Sequence, residues 1–192
     1  MAARNTKNLR MIHTLLAHPN GSLTKYKIAK LSECTPSWAL IYLKQLEEQK
    51  LIHGTTVLDA NKLVDLYLTL EKKFHYVTFE VKDPATFLKS VKLPYALTTY
   101  SADHLLFGHL YIQRYDCYIN PDDKDSWRDK IVEAGGLLGG NNLRLIPLPI
   151  ISTQEKYDLV CVDNARLLID LKREKGVCLD AYQMLLRRWN HE

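Results

Sequence analysis

The sequence predicts an α+β protein in two parts, a small helical N-terminal part and a larger mixed α/β part. Up to about residue 70, apolar residues recur at helical spacing. Beyond that point, strand-like and helix-like segments alternate along the chain. The chain has 192 residues, 46% of them hydrophobic, which is enough for two modest cores. We therefore expect one domain over residues 1–70 and a second over residues 71–192.

The N-terminal part is organised around two predicted helices, residues 25–31 and 37–49, joined by a short turn. Pro36 has a fixed φ angle and no backbone N–H, so it suits the first turn of a helix, and the preceding Thr35 can cap that helix. A helix over residues 5–17 precedes this pair, and a small hairpin follows it. This order is typical of a winged helix-turn-helix, whose second helix enters the DNA major groove.

One face of the 37–49 helix is predicted to pack, and the other to contact DNA. Ala39, Leu43 and Leu46 share the packing face at a 3.6-residue period. The predicted DNA-binding residues are Ser37, Trp38, Ile41, Lys44 and Gln45, which would face the groove, with Lys25, Lys27 and Lys30 on the preceding helix near phosphates. The hairpin lacks a basic tip.

The distribution of charge favours a phosphate-binding N-terminal part. Up to Lys62 the chain has nine Lys and Arg against four Asp and Glu, a net charge of +5, whereas the remainder has a net charge of −1. That asymmetry is what an N-terminal nucleic-acid-binding module would show. A solvated basic surface is the alternative interpretation.

Composition excludes several other classes of protein. No run of apolar residues approaches the 18 or more that a membrane span needs, and no apolar signal-peptide core follows the N-terminus, so we expect a cytoplasmic protein. The four cysteines are far apart, without a CxxC pair or histidines at ligand spacing. They predict neither a zinc site nor a disulfide framework, and are interpreted as buried small hydrophobic residues.

The second part is predicted to mix strands and helices, with Asp59 and Asp163 as helix N-caps. The predicted helices are 60–70, which connects the two parts, and 84–91, 101–107, 125–134, 164–172 and 179–189. The predicted strands are 75–81, 110–114, 117–119, 143–148 and 159–162. The glycine-rich stretch 135–142 is interpreted as a flexible connection.

No motif in the sequence indicates an enzyme, a metal or a cofactor. The glycine pairs in 135–140 lack the spacing of a dinucleotide fingerprint and the lysine of a P-loop. The acids at 122, 123 and 125 lack the glycine and glutamate of an EF-hand, and helix capping explains them better. Asp103, His104 and His109 accompany no recognisable nucleophile. We therefore predict no catalytic residues, no metal site and no cofactor.

The predicted final helix ends in Arg187, Arg188 and Trp189, residue types that are enriched in binding hot spots. We predict that these three residues bind a protein partner. The equally weighted alternative is a basic pair near the helix C-terminus beside a packed tryptophan.

Three segments of the second part resemble the C-terminal domain of AbiEi-type antitoxins, which are winged-helix partners of nucleotidyltransferase toxins in type IV toxin–antitoxin systems. They are YALTTYSA at 95–102, NLRLIP at 142–147, and VD at 162–163 leading into ARLLIDL at 165–171. With the N-terminal winged helix, the resemblance covers most of the chain. It implies a DNA-binding autorepressor that opposes a toxin encoded beside it.

The leading hypothesis is thus a transcriptional regulator of antitoxin type. It would bind double-stranded DNA at its own operator as a homodimer and would have a nucleotidyltransferase-like toxin as a protein partner. The alternative is a winged-helix interaction module without sequence-specific DNA binding, since Trp38 and Ile41 form an apolar pair unusual on a groove-facing surface. An enzyme acting on nucleic acid is the third reading, and it lacks a motif.

Overall fold

The structure, a computed structural model, describes residues 2–71 and 75–189 and has the mixed α+β composition that the sequence predicts. The described residues divide into two compact units, 2–71 together with 182–189, and 75–181. The predicted boundary between residues 70 and 71 lies just before residues 72–74, which are outside the described residues. The end of the last helix, which the sequence analysis places in the α/β part, belongs to the first unit. No described helix is long and apolar enough to cross a bilayer.

The N-terminal stretch of the first unit contains four helices and a two-stranded hairpin. Its elements are α1 (Ala2–Ala17), α2 (Lys25–Leu31), α3 (Pro36–Glu48), β1 (Ile52–His53), β2 (Thr56–Val57) and α4 (Ala60–Leu70). Helix α2 packs against α1 and α3, and α1 packs against α4. Leu43 and Leu46 are fully buried with Ile12 and Leu16, as their position on the helices predicts.

Side-chain caps and a left-handed residue set the ends of these helices. The hydroxyl of Thr35 accepts the N–H of Trp38 at the start of α3, and Asp59 accepts that of Lys62 at the start of α4, so both predicted caps are confirmed. Glu33 has a φ angle of 51° in the turn between α2 and α3. That conformation lets the N–H of Cys34 reach back to the Ala29 carbonyl and close the C-terminus of α2.

The second unit is built on a seven-stranded mixed sheet with strand order β6-β3-β7-β5-β4-β9-β8. The strands are β3 (Val77–Glu80), β4 (Tyr95–Thr98), β5 (Tyr115–Ile119), β6 (Leu137–Leu138), β7 (Leu143–Pro147), β8 (Thr153–Lys156) and β9 (Leu159–Val162). The helices that follow α4 are α5 (Pro84–Ser90), α6 (Thr99–Leu106), α7 (Lys124–Glu133), α8 (Asn164–Glu174) and α9 (Cys178–Trp189). The β5–β7 and β4–β9 pairs are parallel, and the others are antiparallel.

The structure corrects several predicted elements. Residues 110–114 form a loop instead of a strand, because the backbone of Leu110 bonds to side chains of α6, its N–H to Asp103 and its carbonyl to His104. Strands β4, β6 and β8 were not predicted. Strand β6 lies inside the glycine-rich stretch, where a Cβ on Gly140 would stand 2.2 Å from the backbone nitrogen of Glu80. Asn20 forms an isolated antiparallel bridge to Thr56 of the hairpin.

Candidate functional site

The outer face of α3 is open to solvent over most of its length. Ala39, Tyr42, Leu43 and Leu46 are buried, and they lie on the side of α3 that packs within the first unit. Among the predicted DNA-facing residues on the opposite side, Ser37, Ile41, Lys44 and Gln45 are all exposed. Ile41 is 59% exposed. The structure therefore brings these four side chains together on one accessible surface, although Lys44 lies 3.9 Å from the Glu48 carboxylate.

Trp38 is placed differently from the other four residues. It is half-buried, and its indole N–H donates a hydrogen bond of 3.1 Å to the side-chain oxygen of Asn8 on α1. Its ring therefore helps to hold α3 against α1. The predicted contact of Trp38 with DNA stays a prediction, and it has to use whatever edge of the ring this packing leaves exposed.

The three lysines of α2 are all exposed. Neither Lys27 nor Lys30 has an ion-pair partner within 4 Å among the described residues. Lys25 lies near Glu47, which accepts a 2.9 Å hydrogen bond from the N–H of Gly54 at the hairpin tip. That hydrogen bond is the main cause of the lowered pKa of Glu47, and the charges of Lys25 and His53 lower it further. The hairpin tip is therefore tied to α3 through the carboxylate of Glu47.

Exposed apolar side chains also lie on α2 and α3. Tyr26, Leu31, Leu40 and Ile41 are each at least half exposed. Exposed apolar side chains on neighbouring helices are a feature of protein-binding surfaces. Helices α2 and α3 thus expose both lysines, which suit a nucleic acid, and apolar residues, which suit a protein.

The predicted partner-binding residues of α9 do not form one exposed group. Trp189 is half-buried, and its indole N–H donates a 2.9 Å hydrogen bond to the carbonyl of Leu16 in the first unit. Tyr182, which lies seven residues before Trp189 on α9 and belongs to the same unit, donates from its hydroxyl to Asn61 at 2.7 Å. Arg187 and Arg188 are exposed. The tryptophan therefore has the packed role that the alternative reading described, and binding of a partner to the two arginines stays a prediction.

The second unit contains an ionic network that the sequence analysis missed. Its first half is centred on Asp116 of β5, which is fully buried. One oxygen of Asp116 accepts hydrogen bonds from Nε of Arg114 at 2.7 Å and from Nε of Arg144 at 2.6 Å. Both guanidinium groups also bind Glu174 at the end of α8. The remaining oxygen of Asp116 accepts the hydroxyl of Thr99.

The second half of the network is centred on Asp170 of α8, which is 1% exposed. It accepts hydrogen bonds from the Thr98 hydroxyl at 2.6 Å and the Tyr118 hydroxyl at 3.0 Å, and it pairs with Arg166 and Arg173. Burial alone would raise the pKa of Asp170, but the two arginine charges and the Thr98 hydrogen bond lower it below its ordinary value. Asp170 is therefore held ionised.

This network fixes α8 on the sheet. The carboxylates of both halves are satisfied by neighbouring donors, as buried charges must be. Thr99, a β-branched residue, has a φ angle of 48° at the junction of β4 and α6, an unusual conformation that needs firm support from its surroundings. Its hydroxyl bond to Asp116 belongs to that support. Because its charged groups are directed at one another, the network has a structural role.

The other acids and histidines of the second unit are also engaged in local structure. The carboxylate of buried Asp103 accepts the N–H of Leu110 at 2.8 Å and lies 3.1 Å from Nδ1 of His109, whose ring stacks on Phe107. Asp123 stands at the start of α7 without making a side-chain cap, so the predicted capping role is wrong there. Among the described residues, no three His, Cys, Asp or Glu side chains converge as metal ligands would.

Comparison of the chain with protein-family models, with curated proteins and with solved structures finds no match.

Proposed function

We propose that this protein is a DNA-binding transcriptional regulator of antitoxin type whose N-terminal elements form a winged helix-turn-helix. The observation that carries the proposal is the outer face of α3, the helix that follows the tight turn after α2. Four of the predicted DNA-facing residues are exposed together on this face: Ser37, Ile41, Lys44 and Gln45. The order of α1, α2, α3 and the hairpin supports the same proposal. In this arrangement α3 is the recognition helix and lies in the major groove.

Binding in this proposal depends on few charges. Lys25, Lys27 and Lys30 contact phosphates from α2, and Lys44 does so from α3. At about four contacts per protomer, the slope of log K against log salt is about −3 to −4, which corresponds to weak binding by a single copy. We therefore propose a homodimer on a palindromic operator, with half-sites about one helical turn apart, so that the contacts of two copies add.

The antitoxin part of the proposal rests on the resemblance of the 95–102, 142–147 and 162–171 segments to AbiEi-type antitoxins. In this proposal the protein acts in the cytoplasm, and its protein partner is a nucleotidyltransferase-like toxin encoded by a neighbouring gene. Coexpression tests this part directly. The chain should restore growth of cells that express the neighbouring nucleotidyltransferase, and failure to do so would leave the DNA-binding proposal standing without its antitoxin role.

The test of DNA binding is a titration of the promoter fragment of the chain's own gene at several salt concentrations. Changing Lys25, Lys27 and Lys30 together to alanine should weaken binding to all sequences and reduce the salt slope by about 3 per protomer. The matched control removes the same charge from the second unit, through alanine at Lys82, Lys89 and Lys92. Equal binding of promoter and random DNA, or an unchanged slope in the α2 variant, would contradict the proposal.

A second candidate function is protein binding by the same face. It is favoured by the exposure of Tyr26, Leu31, Leu40 and Ile41, since apolar and aromatic anchors dominate protein interfaces. If this function applies, Ile41→Ser abolishes association with the partner, whereas the triple lysine variant retains it. The opposite pattern is expected for DNA, where the lysines carry most of the affinity.

A further inference from the structure

A cavity of about 210 Å³ lies in the second unit between the sheet and α7. Its floor is apolar and includes Phe79, Ile119, Leu138 and Leu145. Leu138 of edge strand β6 faces Phe79 across the β6–β3 pair, and Leu145 faces Val77 across the β3–β7 pair. Because side chains alternate along a strand, these residues share one face of the sheet. The floor is thus a continuous apolar surface belonging to four neighbouring strands.

The rim of the cavity is charged. Lys124, Asp125 and Arg128 of α7 line it, and Lys124 and Arg128 are four residues apart, so they lie on the same side of the helix. All three are exposed, and none of their side chains has an ion-pair or hydrogen-bond partner among the described residues. The rim therefore has a net charge of +1, with two cationic groups that are not held by protein acids.

We infer that this cavity binds a small monocarboxylate with an apolar body about the size of one aromatic ring. An apolar cavity of about 150 Å³ is known to hold benzene, so the larger space here accommodates a ring together with the link to a head group. The guanidinium of Arg128 matches a carboxylate in geometry, and Lys124 adds a second donor. A single negative charge on the ligand balances the net charge of +1 on the rim. The inference concerns the second unit alone and does not rest on the proposed DNA binding.

The test is an NMR titration of the intact chain, without DNA, using phenylacetate as the probe. Saturable shifts are expected for the backbone amides of Phe79, Leu138 and Leu145. Phenylacetamide, the neutral analogue, should bind about tenfold more weakly, which is the loss expected for one charge-assisted hydrogen bond. Arg128→Gln should weaken the binding of phenylacetate by a similar factor. Lys130→Gln is the matched control, because Lys130 is on the same helix but outside the cavity lining, and it should leave binding unchanged.

Leu138→Trp provides an independent variant, because Leu138 is 65% exposed and its replacement by a larger ring fills the cavity without disturbing the buried core. This variant should keep the spectrum of the folded protein and lose the phenylacetate shifts. The inference is overturned if the shifts do not saturate, if the amide binds as well as the acid, or if Leu138→Trp leaves binding intact.

Discussion

The two units use their charges in opposite ways. The first keeps the lysines of α2 exposed, whereas the second buries Asp116 and Asp170 among four arginines. A charge in water is available to an outside partner and contributes little to stability. A buried charge is unavailable to a partner, and removing one member of its network is costly. The exposed lysines of α2 are therefore accessible to an outside partner, whereas the buried charges around Asp116 and Asp170 contribute to the stability of the second unit.

The largest effect is expected from breaking the buried network. Asp170→Ala leaves Arg166 and Arg173 without their shared carboxylate, and it should lower the free energy of unfolding of the second unit by about 3–5 kcal/mol. Chemical denaturation followed by the fluorescence of Trp127, in a background of Trp38→Phe and Trp189→Phe, reports on that unit. Asp129→Ala, at an exposed position, is the control. A similar loss of unfolding free energy in both variants would show that the buried network stabilises the unit no more than an exposed charge does.

The next effect concerns the core of the first unit. Leu43→Ala removes a fully buried side chain from α3 and should cost about 2–5 kcal/mol. Leu40→Ala, on the same helix but 51% exposed, should change the free energy of unfolding by less than about 0.5 kcal/mol. Thermal and denaturant unfolding measure both. Equal melting temperatures for the two variants would contradict the described orientation of α3.

The sequence predicted these helices well because their signals are local. The cap of Thr35, the turn before it and the apolar period of α3 all lie within about fifteen residues of one another. Strands β6 and β8 were missed because they are short edge strands whose pairing depends on distant partners. The glycine-rich sequence around β6 also resembles a loop, since its close approach to β3 cannot be inferred from composition.

The ionic network was missed for a similar reason. Asp170 meets Thr98 and Tyr118 across 72 and 52 residues of sequence. Two local signals were nevertheless present. Arg166 and Asp170 are four residues apart on one helix, and Arg114 and Asp116 are two apart at a strand, so each pair projects to one face. A pair of opposite charges inside a strongly apolar segment therefore indicates that the charges are buried. Apolar periodicity alone does not reveal such a pair.

Acid should affect the second unit through this network. The pKa of Asp170 and that of Glu174 are both lowered, because arginine charges and hydrogen bonds outweigh the opposing effect of burial. A lowered carboxyl pKa contributes stability above the ordinary values of 3.8 and 4.5, and that contribution is lost as pH falls through the folded-state values. Denaturation at pH 6 and pH 3 should therefore show a smaller loss for the Asp170→Asn, Glu174→Gln variant than for the unchanged protein.

The smallest effect is expected at one base pair of the proposed operator, and it distinguishes the two uses of the α3 face. The side-chain amide of Gln45 is exposed and can pair with the edge of adenine in the major groove. Gln45→Ala should therefore reduce discrimination at a single position by about 1–3 kcal/mol. The salt slope should stay the same because no phosphate contact is lost, and the unfolding transition should not move.

The measurement is a set of competition titrations against operators that differ at one base pair each. If Gln45→Ala weakens all operators alike, the residue does not read sequence. If it weakens none while Ile41→Ser abolishes association with a protein, the exposed apolar residues of α2 and α3 define the function of these helices.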